Sequence, residues 1–143
     1  MDLKTFLYKY GVDTTTNFDL KNIAQNLNIP LKVCMRDELP NEPINKAIIF
    51  NLQTHNQNGS HWVLIDFPNS IYFDGYGIKP TKEIYNYLQN ETSIKYNTLQ
   101  IQPDGTNMCG QLSIFVLFKI NNEEKFEDII LDCFNQINEI NLT

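Results

Sequence analysis

The sequence predicts an α+β fold, a mixed central β-sheet with flanking helices, one of them buried and carrying a cysteine in its first turn. Three observations point there. Through the middle of the chain, short segments rich in β-branched and aromatic residues alternate with turn formers. Both ends follow a helical period. The stretch "CGQLSIFVLFKI", Cys109 to Ile120, is apolar on nearly every side, as a helix must be if it lies inside a domain. At 143 residues the chain fits one domain, 1–143, able to bury a core without disulfides or metals.

Leu3, Phe6, Leu7 and Tyr10 recur at helical spacing and stop at Gly11, a natural C-terminal cap. Leu20, Ile23, Ala24 and Leu27 repeat that pattern ahead of Pro30. The segments "LKVCM", "KAIIFNL", "HWVLIDF" and "SIYFD" then read as strands of one sheet. "TKEIYNYLQN" reads as a helix after Pro80, and "IKYNTLQIQ" as a returning strand before the turn "PDGT". After the buried helix, Phe126, Ile129, Ile130, Cys133, Phe134, Ile137 and Ile140 form an apolar stripe, predicting a last helix laid on the sheet.

Composition excludes several functions. The formal net charge is −6, and the eleven basic residues are dispersed among seventeen acidic ones, so no strong nucleic-acid binding is expected. No apolar run reaches membrane-spanning length, and "MDLKTFLYKY" is amphipathic where a secretory signal would be basic and then apolar. An intracellular protein without a membrane anchor is expected, and a monomer. Three widely spaced cysteines without a CxxC, beside two histidines, argue against both a disulfide framework and a zinc site.

Cys109 is the cysteine placed to react. In the first turn of a buried helix, unsatisfied backbone N–H groups and the helix dipole favour a thiolate, the nucleophilic form. The competing reading makes it a small buried hydrophobe, as Cys34 in a strand and Cys133 in the apolar stripe are expected to be. His61 opens the strand "HWVLIDF" and Asp74 closes the next one. If Pro68-Asn69 makes a two-residue turn, Val63 faces Asp74 and His61 becomes its diagonal neighbour on the same face. Otherwise Asp74 is only a turn residue before Gly75. Asp66 points to the opposite strand face and is expected in solvent, and His55 lies in a polar loop. Six residues separate Gln102 from Cys109, few enough for one turn to bring its amide beside the Cys109 N–H as a second oxyanion donor. Base, orienter, oxyanion donor and nucleophile are then all present.

"GSHW", "YFDGYG" and a glutamine with six residues between it and "CG" resemble the adenovirus-type cysteine proteases, whose clan also holds the proteases of ubiquitin-like proteins. "MRDELP" followed by "IIFNL" also resembles the small maturation proteases of virophages and related viruses and transposons. The resemblance implies the adenain-like fold and a thiol endopeptidase acting on viral capsid precursors, in the virion or the host cytoplasm, with no cofactor. It makes Cys109 the nucleophile, His61 its base, Asp74 the orienter of the imidazole and Gln102 the oxyanion donor. By the same resemblance Trp62 walls the imidazole, unless it is an ordinary core aromatic, and Gly110 keeps the helix start clear for substrate. Asp37 borders the cleft or else caps a turn. Two alternatives stay open: a protease of ubiquitin-like proteins, and an inactive protease fold kept as a binding module.

Overall fold

A computed structural model describes residues 1–42, 44–54, 61–88 and 93–140. Five strands, β1 (Leu31–Met35), β2 (Ala47–Asn51), β3 (Trp62–Asp66), β4 (Ile71–Phe73) and β5 (Lys95–Tyr96), lie side by side in chain order. β1 runs parallel to β2 and β4 to β5, while β3 is antiparallel to both its neighbours, so the sheet is mixed as expected. Among the described residues no helix is long and apolar enough to cross a membrane.

The period-2 alternation of the strands sorts two cores. Val33, Ile49, Trp62, Leu64 and Phe73 point to one face, where α1 (Leu3–Tyr10), α2 (Asn17–Asn26), α4 (Cys109–Asn121) and α5 (Phe126–Ile137) collect. Cys34, Ile48, Phe50, Val63, Ile65 and Tyr72 point to the other, covered by Ile84 and Leu88 of α3 (Lys82–Leu88). With both faces covered, β2 and β3 are buried at every position, which is why they read as continuous apolar runs. Local chemistry sets the helix starts: the Asp2 carboxylate accepts from Thr5 N, and Thr16 and Asp19 close a reciprocal capping box.

The β3–β4 hairpin has the register that the Pro68-Asn69 turn predicts. Leu64 pairs with Phe73 and Asp66 with Ile71, and Ser70 N donates to Phe67 O at 3.2 Å to close the turn. Val63 therefore faces Asp74.

Several expectations are corrected. Only Lys95 and Tyr96 of "IKYNTLQIQ" are strand, because from Asn97 onward side chains replace the ladder. α5 packs mainly on α1 and α4, and it is α4 that lies on the sheet. Phe134, assigned to the α5 stripe, is 38% exposed. At about 100° per residue it falls to one side of the line through Phe126, Ile130, Cys133 and Ile137. Asp66 does lie on the opposite strand face, but it is 2% exposed, since that face is the helix-covered one. Asn69 Nδ2 donates to its carboxylate at 2.8 Å. His55 and the last two residues of the expected helix 81–90 fall outside the described residues.

Burial raises the Asp66 pKa above the ordinary 3.8 and outweighs the hydrogen bonds from Asn69. The folded state thus binds this proton more tightly than the unfolded chain, and the charge costs stability at any pH above that interval. Asp66→Asn keeps an acceptor for Asn69 and removes the charge. The expected outcome is a higher melting temperature at pH 7, with the gain shrinking toward pH 4, read by thermal unfolding at both.

Candidate active site

Antiparallel pairing brings the entrance of β3 and the exit of β4 to one end of the sheet, and the start of α4 meets them there. His61 immediately precedes β3 and Asp74 immediately follows β4. His61 Nε2 and Asp74 Oδ1 are 2.8 Å apart, with the imidazole 13% and the carboxylate 2% exposed. The same Oδ1 accepts the backbone N–H of Tyr76 at 2.8 Å, and the Tyr76 ring stacks on the imidazole with centroids 4.9 Å apart. A carboxylate holding two donors and an imidazole held on one edge and one face have little freedom to turn.

Cys109 is the first residue of α4, and Trp62 N donates to its sulfur at 3.4 Å. The first hydrogen bond into this helix is Leu112 N to Met108 O, so the N–H groups of Cys109, Gly110 and Gln111 have no acceptor within the helix. With Nε2 held by Asp74, the imidazole has only Nδ1 left for the sulfur. Burial by itself would lower the His61 pKa. Hydrogen bonding and charge interaction with Asp74 and Cys109 outweigh burial and raise it from 6.5 to about 9. The stability tied to this proton is therefore complete below pH 6.5 and is lost as pH rises through about 9. The other two thiols differ in kind: burial raises Cys34 to about 11 and Cys133 to about 12.

Gln102 lies in the loop leading to α4, and the turn "PDGT" does fold back, with Thr106 N donating to Pro103 O. The Gln102 side chain is 1% exposed, and its Nε2 donates to Thr106 O at 3.0 Å and to Tyr76 OH at 3.3 Å. Its Oε1 has no hydrogen-bond partner among the described residues. Both N–H groups are thus engaged within the loop, and the longer bond, to Tyr76, is the weaker one.

The remaining residues singled out from the sequence lie near the start of α4 or at the same end of the sheet as His61. Trp62 is 7% exposed and its ring N–H donates to Thr15 O at 3.1 Å, so it packs as a core aromatic beside Cys109. Gly110 faces the interior and not an open cleft. A Cβ there would stand 2.3 Å from Thr15 Oγ1 and 2.8 Å from Leu20 Cδ2, so the glycine admits the close approach of α2. Asp37 is exposed in the short 3₁₀ turn Arg36–Glu38 that follows β1, at the same end of the sheet as His61. Sequence reasoning missed Tyr76 and Asn97. The spacing of Tyr76 two residues after Asp74 is that of an Asx turn and could have been read. Asn97, which bonds the Asp74 backbone, left no periodic signal. Among the described residues no three His, Cys, Asp or Glu side chains gather as metal ligands.

No protein-family model matches the sequence. In a 127-residue alignment the chain is 34% identical to the R355 protein of Acanthamoeba polyphaga mimivirus, named as a thiol protease, over 76% of this chain and 42% of that one. The chain thus spans less than half the length of that relative. Its fold is similar to the crystal structure of the ASFV pS273R protease, with a TM-score of 0.54 at 14% identity, covering 87% of this chain and 66% of the other. The architecture is therefore one that a viral protease also uses, and the sequence likeness is to a viral protein named for thiol chemistry.

At pH 7 iodoacetamide is expected to alkylate Cys109 first, because its sulfur lies beside a cationic imidazole while Cys34 and Cys133 stay protonated. Peptide mapping by mass spectrometry before and after unfolding checks the order. Labelling of Cys34 or Cys133 ahead of Cys109 in the folded protein would contradict it.

Proposed function

We propose that the chain is a single cysteine peptidase domain hydrolysing peptide bonds in viral structural precursors. The observation that carries this reading is the line Asp74–His61–Cys109 at the start of a buried helix, with Nε2 on the carboxylate at 2.8 Å and the sulfur held by Trp62 N–H. Likeness to R355 and the fold of pS273R support it. The substrate class, and action in the virion or at the site of virus assembly, rest on the family resemblance of the sequence motifs.

In this mechanism the Cys109 sulfur, as thiolate beside imidazolium, attacks the scissile carbonyl carbon. The carbonyl oxygen becomes an oxyanion, received by the Cys109 N–H at the start of α4 and by the Gln102 amide, which exchanges its 3.3 Å bond to Tyr76 for the new acceptor. His61 gives its proton to the departing amine as the C–N bond breaks, leaving a thioester. The neutral imidazole then takes a proton from water as the water attacks, and release of the acid restores the thiolate–imidazolium pair. Asp74 holds the imidazole in the tautomer and orientation that both steps need.

Cys109→Ala is expected to abolish cleavage of viral structural precursors while circular dichroism stays unchanged, and His61→Ala to be nearly as severe because the two act as a unit. Gln102→Ala is expected to lower kcat by roughly 10- to 1000-fold. Full turnover by Cys109→Ala would end the thiol mechanism. The pH profile of kcat/KM is expected to fall on the alkaline side near pH 9, where His61 loses its proton, and Asp74→Ala to move that limb downward.

A further inference from the structure

We propose that Asn97 is a positioning residue for Asp74, and through it for His61, its side-chain amide standing in for the strand neighbour that β4 lacks at its end. The inference rests on the Asp74–His61–Cys109 reading above. The parallel ladder between β4 and β5 runs through Ile71–Lys95 and Tyr72–Tyr96 and then stops. Continued, it would have carried β5 alongside Asp74. Instead, Asp74 N donates to Asn97 Oδ1 at 3.2 Å, and Asn97 Nδ2 donates to Asp74 O at 2.7 Å. One side-chain amide thus supplies the acceptor and the donor that a flanking peptide would.

The orientation of this amide is determined by its partners. Its second N–H donates to Leu99 O at 3.2 Å, so turning the group over would set oxygen against two carbonyls and NH₂ against an N–H. Asn97 is 4% exposed, so water cannot replace these bonds. The strap beyond it has no slack. Gly77 has φ +73°, and a Cβ there would stand 2.8 Å from the Thr98 and Leu99 carbonyl groups. Further along, Ile101 N and Gln102 N both donate to Gly75 O at 2.8 Å. The same strap therefore holds the backbone of Asp74 at one end and the backbone of Gln102 at the other.

This placement acts on a shared atom. Asp74 Oδ1 serves both His61 and Tyr76 N, and a shift of the Asp74 backbone would trade one bond against the other. The titratable groups acting on the imidazole are Asp74 after β4, Tyr76 in the following turn and Cys109 at the start of α4. Of their supports, the Asn97 amide alone grips the Asp74 main chain on both its N–H and C=O among the bonds described.

The test follows the imidazole directly. In the full chain carrying His55→Gln, which leaves a single histidine, the His61 ring is titrated by NMR with and without Asn97→Ala. The expected result is a midpoint about one unit or more lower in Asn97→Ala, as the Asp74 hydrogen bond loosens. In cleavage assays kcat is expected to fall about 100-fold, the scale of a small misplacement of a reacting group, while KM stays within about twofold. In an Asp74→Ala background Asn97→Ala is expected to cost nothing further. A lower melting temperature with an unmoved His61 midpoint would make Asn97 purely structural and overturn the proposal. So would an equal loss of activity in the Asp74→Ala background. Should the alanine variant fail to fold, Asn97→Ser, which leaves a small polar group for the Asp74 backbone, is read by the same two criteria. The NMR arm needs no cleavage, so failure of the peptidase reading and failure of this one are told apart.

Discussion

The antiparallel register of β3 on β4 is the constraint on which the rest of the site depends. With Leu64 opposite Phe73, the residues before one strand and after the other come together on the same side, and the 2.8 Å contact between His61 and Asp74 follows. A slip by one residue would send the two side chains to opposite faces and simultaneously turn Trp62 and Leu64 out of the helix-covered core. The apolar faces therefore protect the polar pair. Moving it would require repacking two cores whose residues are now fully or almost fully buried.

A second constraint comes from the burial of α4. A helix buried nearly all round must find partners for the N–H groups at its start, or leave them turned to a site that a ligand can enter. Here the start is crowded on one side by Thr15 and Leu20, which Gly110 admits, and meets the entrance of β3 on the other. Cys109 sits between them, taking an N–H from Trp62. The same helix that closes the core thus presents its electropositive end to a sulfur, whereas desolvation is the largest influence on the identical side chain in β1 or α5.

Electrostatics and packing are tied together around His61. Burial opposes its charge, yet Asp74 and Cys109 raise its pKa to about 9, so the cation draws on both partners. That in turn needs the Asp74 carboxylate to keep its direction, which is the work of Tyr76 N on one side and of the Asn97 amide on its backbone. Stability and reactivity are coupled here: loosening the loop 97–102 would disturb the carboxylate, the Gln102 backbone and the imidazole together.

Much of this was legible in the amino-acid pattern. Short runs rich in β-branched and aromatic residues between turn formers located β1 to β4, and a two-residue turn at Pro68-Asn69 set the hairpin register. Helical spacing located α1, α2 and α5, and the all-round apolar run from Cys109 located α4 and made that cysteine the candidate thiol. What required tertiary structure concerns groups whose surroundings come from distant segments. Asp66 is buried because helices cover its face, Gly110 is needed because α2 approaches it, and Phe134 is exposed because α5 rests on α1 and α4. Gln102 finds its amide partners in Tyr76 and Thr106, and Asn97 completes a strand end with its side chain. The sequence by itself determined most of the elements, the faces of the first four strands and a set of candidate reactive side chains, since these depend on local period and residue type. Only the folded chain decided which backbone each polar side chain would hold, since a side-chain amide can serve any donor and acceptor that packing places beside it.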